Sequence, residues 1–217
     1  MKFNWKYLII FSAIILVAIS LRFYQLDKLP PGLIIDEASE GYNAFSILQT
    51  GKDRYGQSFP ILFRSFGSFQ APLYTYLSII PIYFFGNSIF SIHFVSAFVG
   101  VVLVIITFVL LLNAKRGIGL SVIAASLVAI SPWAVFFSRI GTEASLGVSL
   151  FILSFLIFYL SLNNFRLFPI ASFILGLSTH AYYSERLISV LFIIGFILLF
   201  NKKLLLKKKF LIYLNLQ

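Results

Sequence analysis

No cysteine occurs among the 217 residues. Disulfides, a thiolate metal site and a thiol nucleophile are thereby excluded, and the redox compartment is left open. Charge is scarce as well. Asp, Glu, Lys and Arg make up 11% of the chain, against about 25% in an ordinary soluble domain. Acids are the scarcest: seven, against seventeen Lys and Arg. There is no P-loop, dinucleotide fingerprint, HExxH or nucleophile elbow, so the common nucleotide, zinc and serine-hydrolase chemistries have no motif to stand on. Internal repeats, low-complexity tracts and soluble linkers are lacking too.

What fills the space is apolar. Hydrophobic residues are 60% of the chain, and several runs approach or exceed the roughly 20 residues that cross a bilayer core. The composition predicts an all-α polytopic membrane protein in a cell membrane. Its net charge of +10 could suit a nucleic acid, but the basic residues sit between apolar runs. That pattern reads as membrane orientation, and no nucleic-acid partner is expected. The run after Lys2 and Lys6 lacks a small-residue cleavage pattern, so it is read as an uncleaved first span rather than a signal peptide.

Candidate apolar segments cover about 7–26, 71–85, 88–113, 118–138, 144–162, 167–181 and 187–201. The segment 71–85 is short, carries Pro72 and Pro81, and suits an interfacial element better than a crossing. If it does not cross, Lys2, Lys6, Lys115, Arg116, Arg166, Lys202, Lys203 and Lys207 to Lys209 share one side. All seven acids then share the other. The positive-inside rule selects that arrangement: about six transmembrane helices, a cytoplasmic N-terminus, and a long first outer loop over 27–87 with interfacial helices. Residues 1–217 read as a single N-terminal transmembrane module. Its tail, Lys207-Lys-Lys-Phe-Leu-Ile-Tyr-Leu, resembles a further span beginning, so a larger protein is expected.

The first outer loop concentrates the acids. In PPGLIIDEASEGYNAFSILQTG, residues 30–51, the PPG turn leads away from span one. Asp36 can cap a short helix to about Thr50, ended by Gly51. Ala38, Tyr42, Phe45 and Leu48 share one helical face, predicted to lie on the membrane. A loop of about sixty residues suggests a task. It also carries Lys52, Arg54, Tyr55, Arg64, Phe66 and Phe69. The other outer loops each pair an acid with an arginine: Arg139 with Glu143 at helical (i, i+4) spacing, and Glu185 with Arg186, near His180, Tyr182 and Tyr183. The bland alternatives are an N-cap, snorkelling arginines at Arg22 and Arg139, an interfacial His180 and a packed Trp133.

These stretches resemble a family. LRFYQLDKLPPGLIIDEASEGYNAFSILQTGKDRYG, LFRSFGSFQAPLY, FFGNSIFSIHFVSAFVG and SPWAVFFSRIGTEASL are together similar to the N-terminal module of GT-C class, polyprenyl-phosphate-dependent glycosyltransferases. The protein O-mannosyltransferase and aminoarabinose-transferase branch (glycosyltransferase family 39) is the nearest likeness, with the Asp36-Glu37 pair as its signature. The likeness covers the chain to about residue 190. It departs at Gln70 and His93, where relatives commonly carry lysine and arginine.

The resemblance implies a sugar donor on a polyprenyl phosphate, and an acceptor protein, lipid or glycan reached from the extracytoplasmic face. A hydroxyl that attacks the sugar must lose its proton, and a positioned carboxylate can take it. Asp36 is the candidate base, and Glu37 orients the helix or binds a sugar hydroxyl. The departing lipid phosphate needs positive charge nearby, for which Arg186, Arg64, Arg139 and Lys52 are the candidates, with Tyr183 beside them. No cofactor is required; a Mg²⁺ or Mn²⁺ ion bridging Asp36 and Glu143 is a candidate addition. A small-molecule transporter, or a non-catalytic relic or accessory membrane subunit, is the competing expectation. Against the transporter stand span interiors nearly free of charge.

Overall fold

In the computed structural model, residues 5–206 are described, with side chains to residue 200. The chain runs α1 (Trp5–Phe23), α2 (Ile35–Thr50), β1 (Phe63–Ser65), β2 (Ser68–Gln70), α3 (Pro72–Phe85) and α4 (Ile89–Asn113). It continues through α5 (Ile118–Ile130), α6 (Pro132–Arg139), α7 (Glu143–Ser161), a 3-10 turn at Phe165–Leu167, α8 (Phe168–Ala181) and α9 (Ser184–Leu206). The described helices follow the apolar segments of the sequence closely. The lysine tail and Lys2 lie outside the described residues.

Three helices, α1, α4 and α7, are long and apolar enough to cross a membrane, or four if the bent pair α5 and α6 is one span. This is fewer than the six expected. Two causes are visible. Pro132 breaks the 118–138 run, and the halves meet at 52°. Helix α8 has only 14 residues, and the apolar stretch that includes its preceding turn is still short of a full crossing. Helix α9 passes beyond the last described side chain.

The break in α5/α6 follows from proline chemistry. The carbonyl of Val128 would take the amide of residue 132, but proline has none to give. Arg22 supplies the missing donors. Its Nη2 donates to the Val128 carbonyl at 3.1 Å, and its Nη1 to that of Ala129 at 3.0 Å. Arg22 is therefore fully buried between α1 and the elbow, not snorkelling as its position near a span end suggested.

Packing is in three clusters. Ala18, Val104, Phe108, Ala125 and Ala129 join α1, α4 and α5, where the small alanines let backbones approach. Phe158, Leu162, Ala171, Leu175 and Phe196 join α7, α8 and α9. Tyr74, Val95, Leu146 and Ala181 join α3, α4, α7 and α8. This third cluster lies next to the acidic residues. The Tyr74 hydroxyl donates to the Ile92 carbonyl at 2.8 Å and meets Ser96 Oγ at 3.0 Å.

The long loop holds more structure than anticipated. Strands β1 and β2 form an antiparallel hairpin with Arg64 opposite Phe69. Helix α2 spans the expected residues, and Gly51, at φ 70°, ends it by donating to the Ile47 carbonyl at 2.8 Å. Glu37, Glu40, Gly41, Ala44 and Ile47 are buried against the protein, while on the face predicted to lie on the membrane Ala38 and Tyr42 are exposed and Phe45 and Leu48 half-buried. On that inward side the Glu37 carboxylate finds donors. Trp133 is 74% exposed rather than packed inside.

Candidate functional site at one end of the helix bundle

The end of α1 and the starts of α2, α3, α4 and α7 converge, with the α8–α9 turn beside them. Glu37 ties three of these together. Its Oε2 accepts from the Ile34 amide at 2.7 Å, and its Oε1 accepts from the Gly141 amide. His93 Nε2 lies 3.1 Å from the same Oε1. His93 Nδ1 faces the Leu26 carbonyl at 3.2 Å. Burial pushes the Glu37 carboxyl up, but His93 and the two amides outweigh it and hold it below its ordinary range. Gly141 fits here because a Cβ would meet Ile92 Cγ2 at 2.9 Å.

Glu37 is thus the cap of α2, reaching back to the residue before the helix. Asp36, expected as the cap, is exposed on the first turn. Gln70 approaches it: Nε2 lies 3.4 Å from Asp36 Oδ1, while Gln70 Oε1 accepts from Ser39 Oγ at 2.8 Å. The neighbouring residue, Ala71, donates its amide to Glu143 Oε2 at 3.2 Å. Asp36 and Glu143 therefore flank the junction of β2 and α3. The next residue back, Phe69, accepts at its carbonyl from the Tyr183 hydroxyl at 2.8 Å. Arg186 stacks on the Tyr183 ring, 4.4 Å from its centre. Glu40 lies beneath, wholly enclosed, with one carboxyl oxygen unpartnered. Burial, then the charges of Glu143, Asp36 and Glu37, push its carboxyl well above the ordinary range.

Asp36, Glu143, Tyr183 and Arg186 are thus gathered around residues 69–71. The other candidates are not. Arg139 and Glu143 do not share a helix; α6 ends at Arg139 and α7 begins at Glu143. Arg139 instead donates to the carbonyls of Leu21, Tyr24 and Leu29 at 2.7, 2.8 and 2.7 Å, closing the end of α1. Arg64 stands on the hairpin, 5.3 Å from the centre of the Tyr55 ring. Lys52 is exposed at the hairpin's base, bridged to Ser58.

Among the described residues, no group of three or more His, Asp or Glu side chains is placed to hold a metal ion. Asp36 and Glu143 are two donors only, and each already has a protein partner.

The roles of Glu40 and Gln70 were missed in the sequence. A signal was present for Glu40: Glu37, Glu40, Gly41, Ala44 and Ile47 recur at helical spacing, and small residues on such a stripe permit close approach. Comparison with protein-family models, curated proteins and solved structures gives no match.

Proposed function

We propose that this end of the bundle transfers a sugar from a polyprenyl-phosphate donor to an acceptor hydroxyl, on the extracytoplasmic face of a cell membrane. The observation that supports it best is the convergence of an exposed Asp36, Glu143 and the Tyr183–Arg186 pair around residues 69–71. A base and a cation at the mouth of apolar helices suit a donor whose chain stays in lipid.

In this reading Asp36 accepts the proton of the acceptor hydroxyl. The oxygen attacks the anomeric carbon, and the carbon–oxygen bond to the lipid phosphate breaks. The phosphate departs as an anion, with Arg186 stabilising the charge it gains. Attack opposite the leaving group inverts the anomeric centre. Gln70 holds the Asp36 carboxylate, and Glu143 is close enough to engage sugar hydroxyls beside it. Glu37 is a positioning residue: it keeps α2 against the start of α7.

The test is consumption of a lipid-phosphate-linked sugar by membranes carrying the chain. Asp36→Asn should lower the rate by about 10²–10⁴-fold with normal insertion and thermal stability. Arg186→Gln should weaken turnover of the same donor. Undiminished consumption by Asp36→Asn, or none by the parent chain in its full natural context, removes the reading and leaves the accessory-subunit alternative.

A further inference from the structure

The hairpin between α2 and α3 breaks a local rule. Its two-residue turn, Phe66-Gly67, holds both residues at positive φ, 36° and 87°. Such turns favour Asn or Asp at the first position, because a bulky side chain there is strained. Phe59, also in this loop, sits at φ 41°. Neither phenylalanine is repaid by burial: Phe66 is 71% exposed and Phe59 66%. Strain kept without a packing return marks function.

The surroundings indicate the partner. Ile61 and Phe69 are exposed as well. Arg54 lies 5.1 Å from the centre of the Phe66 ring, and Arg64 and Lys52 are exposed nearby. The one acid of this stretch, Asp53, is buried, its Oδ1 accepting from the Tyr55 and Gln57 amides at 2.9 and 2.8 Å. Within residues 52–70 the surface is thus aromatic and cationic, with no exposed acid. The underside is fixed: Phe63 is buried against the Tyr76 ring, whose hydroxyl donates to the Pro60 carbonyl at 2.8 Å. A rigid base with a greasy tip ringed by cations complements an anionic bilayer interface, where phosphates lie beside hydrocarbon.

We propose that the 52–70 hairpin docks into the bilayer interface, with Phe66 and Phe59 inserted among the lipids and Arg64 and Lys52 on anionic lipid phosphates. The inserting residues, Phe59 and Phe66, are not among those that contact Asp36 or Glu143, and the proposal holds whether or not the chain transfers sugar.

The experiment uses the whole chain in liposomes. Trp5 and Trp133 are replaced by Phe, and Phe66→Trp serves as the sole fluorophore, with Phe59→Trp as a second probe. Bromine is placed on the acyl chains of either phosphatidylglycerol or phosphatidylcholine in mixed vesicles. Both probes should be quenched by brominated lipid and shielded from iodide. Quenching should be at least twofold stronger when the anionic lipid carries the bromine, and Arg64→Gln with Lys52→Gln should erase that difference. Free quenching by iodide overturns the proposal. Shielding from both quenchers overturns it too, by assigning the tip to a protein contact. Equal quenching from the two lipids removes the phosphate pairing.

Discussion

At the scale of single residues, the two neighbours Asp36 and Glu37 have opposite fates. Glu37 is spent on structure and Asp36 is left open. Glu37→Gln sets an amide NH₂ among groups that already donate, the Ile34 and Gly141 amides and His93. The expected cost is about 3 kcal/mol, as for a buried pair losing one partner, and thermal unfolding in detergent measures it. Glu37 and Glu40 also give stability opposite pH slopes. The Glu37 carboxyl lies below its ordinary value of 4.5 in the folded chain. Its contribution is present above that value and is lost as pH falls through the folded one. The Glu40 carboxyl is raised, so its contribution is present below the ordinary value and lost as pH rises through the folded one. Glu40→Gln should therefore flatten the fall in melting temperature as pH rises above 4.5 and leave the acidic fall intact; an unchanged slope on the rising side would contradict the burial of Glu40. That this cluster mattered was legible in the sequence, because seven acids in 217 residues make three within five conspicuous. Which acid did what was not legible. His93 and Gly141 are distant in sequence, and only folding sets them around one carboxylate.

At the scale of elements, the sequence placed the helices well and the breaks badly. Apolar runs mark where a helix is affordable, and those runs survive as α1, α3 to α5 and α7 to α9. Partner choice is invisible to them. The acidic stripe of α2 carries small residues and is buried, with Glu37 hydrogen-bonded there, while Ala38 and Tyr42 on the other stripe are open. The hairpin escaped notice because strands of three residues carry too little alternation to read. The elbow at Pro132 yields a sharper expectation. Arg22→Ala strands the carbonyls of Val128 and Ala129, at about 1–3 kcal/mol for each buried acceptor left unpaired. In a Pro132→Ala background the new amide can serve Val128, so the Arg22→Ala penalty should shrink. A double-mutant cycle of melting temperatures reads the difference; strict additivity would show that the arginine does not stand in for the missing amide.

At the scale of the whole molecule, the termini of separate helices meet at one end, and side chains stitch them there. Glu37 draws on residues 34, 93 and 141, and Arg139 on four carbonyls between Leu21 and Leu29. The convergence agrees with chain direction: α1 ends at this face, and α4 and α7 both start from it. Gathering of the acids was expected from charge placement; the exclusion of Arg139, Arg64 and Lys52 from the gathering was not, since each takes a neighbour that sequence spacing does not disclose. The stitching also fixes an order of events during synthesis. A nascent chain halted with residue 130 at the ribosome's exit has its acidic helix held through Gln70 and His93 but lacks the Gly141 amide that completes the Glu37 site. Proteolysis within residues 35–50 should be faster at that length and slow once the stretch through Glu143 has emerged. Equal cleavage at both lengths would mean that the first helices settle without help from the later half.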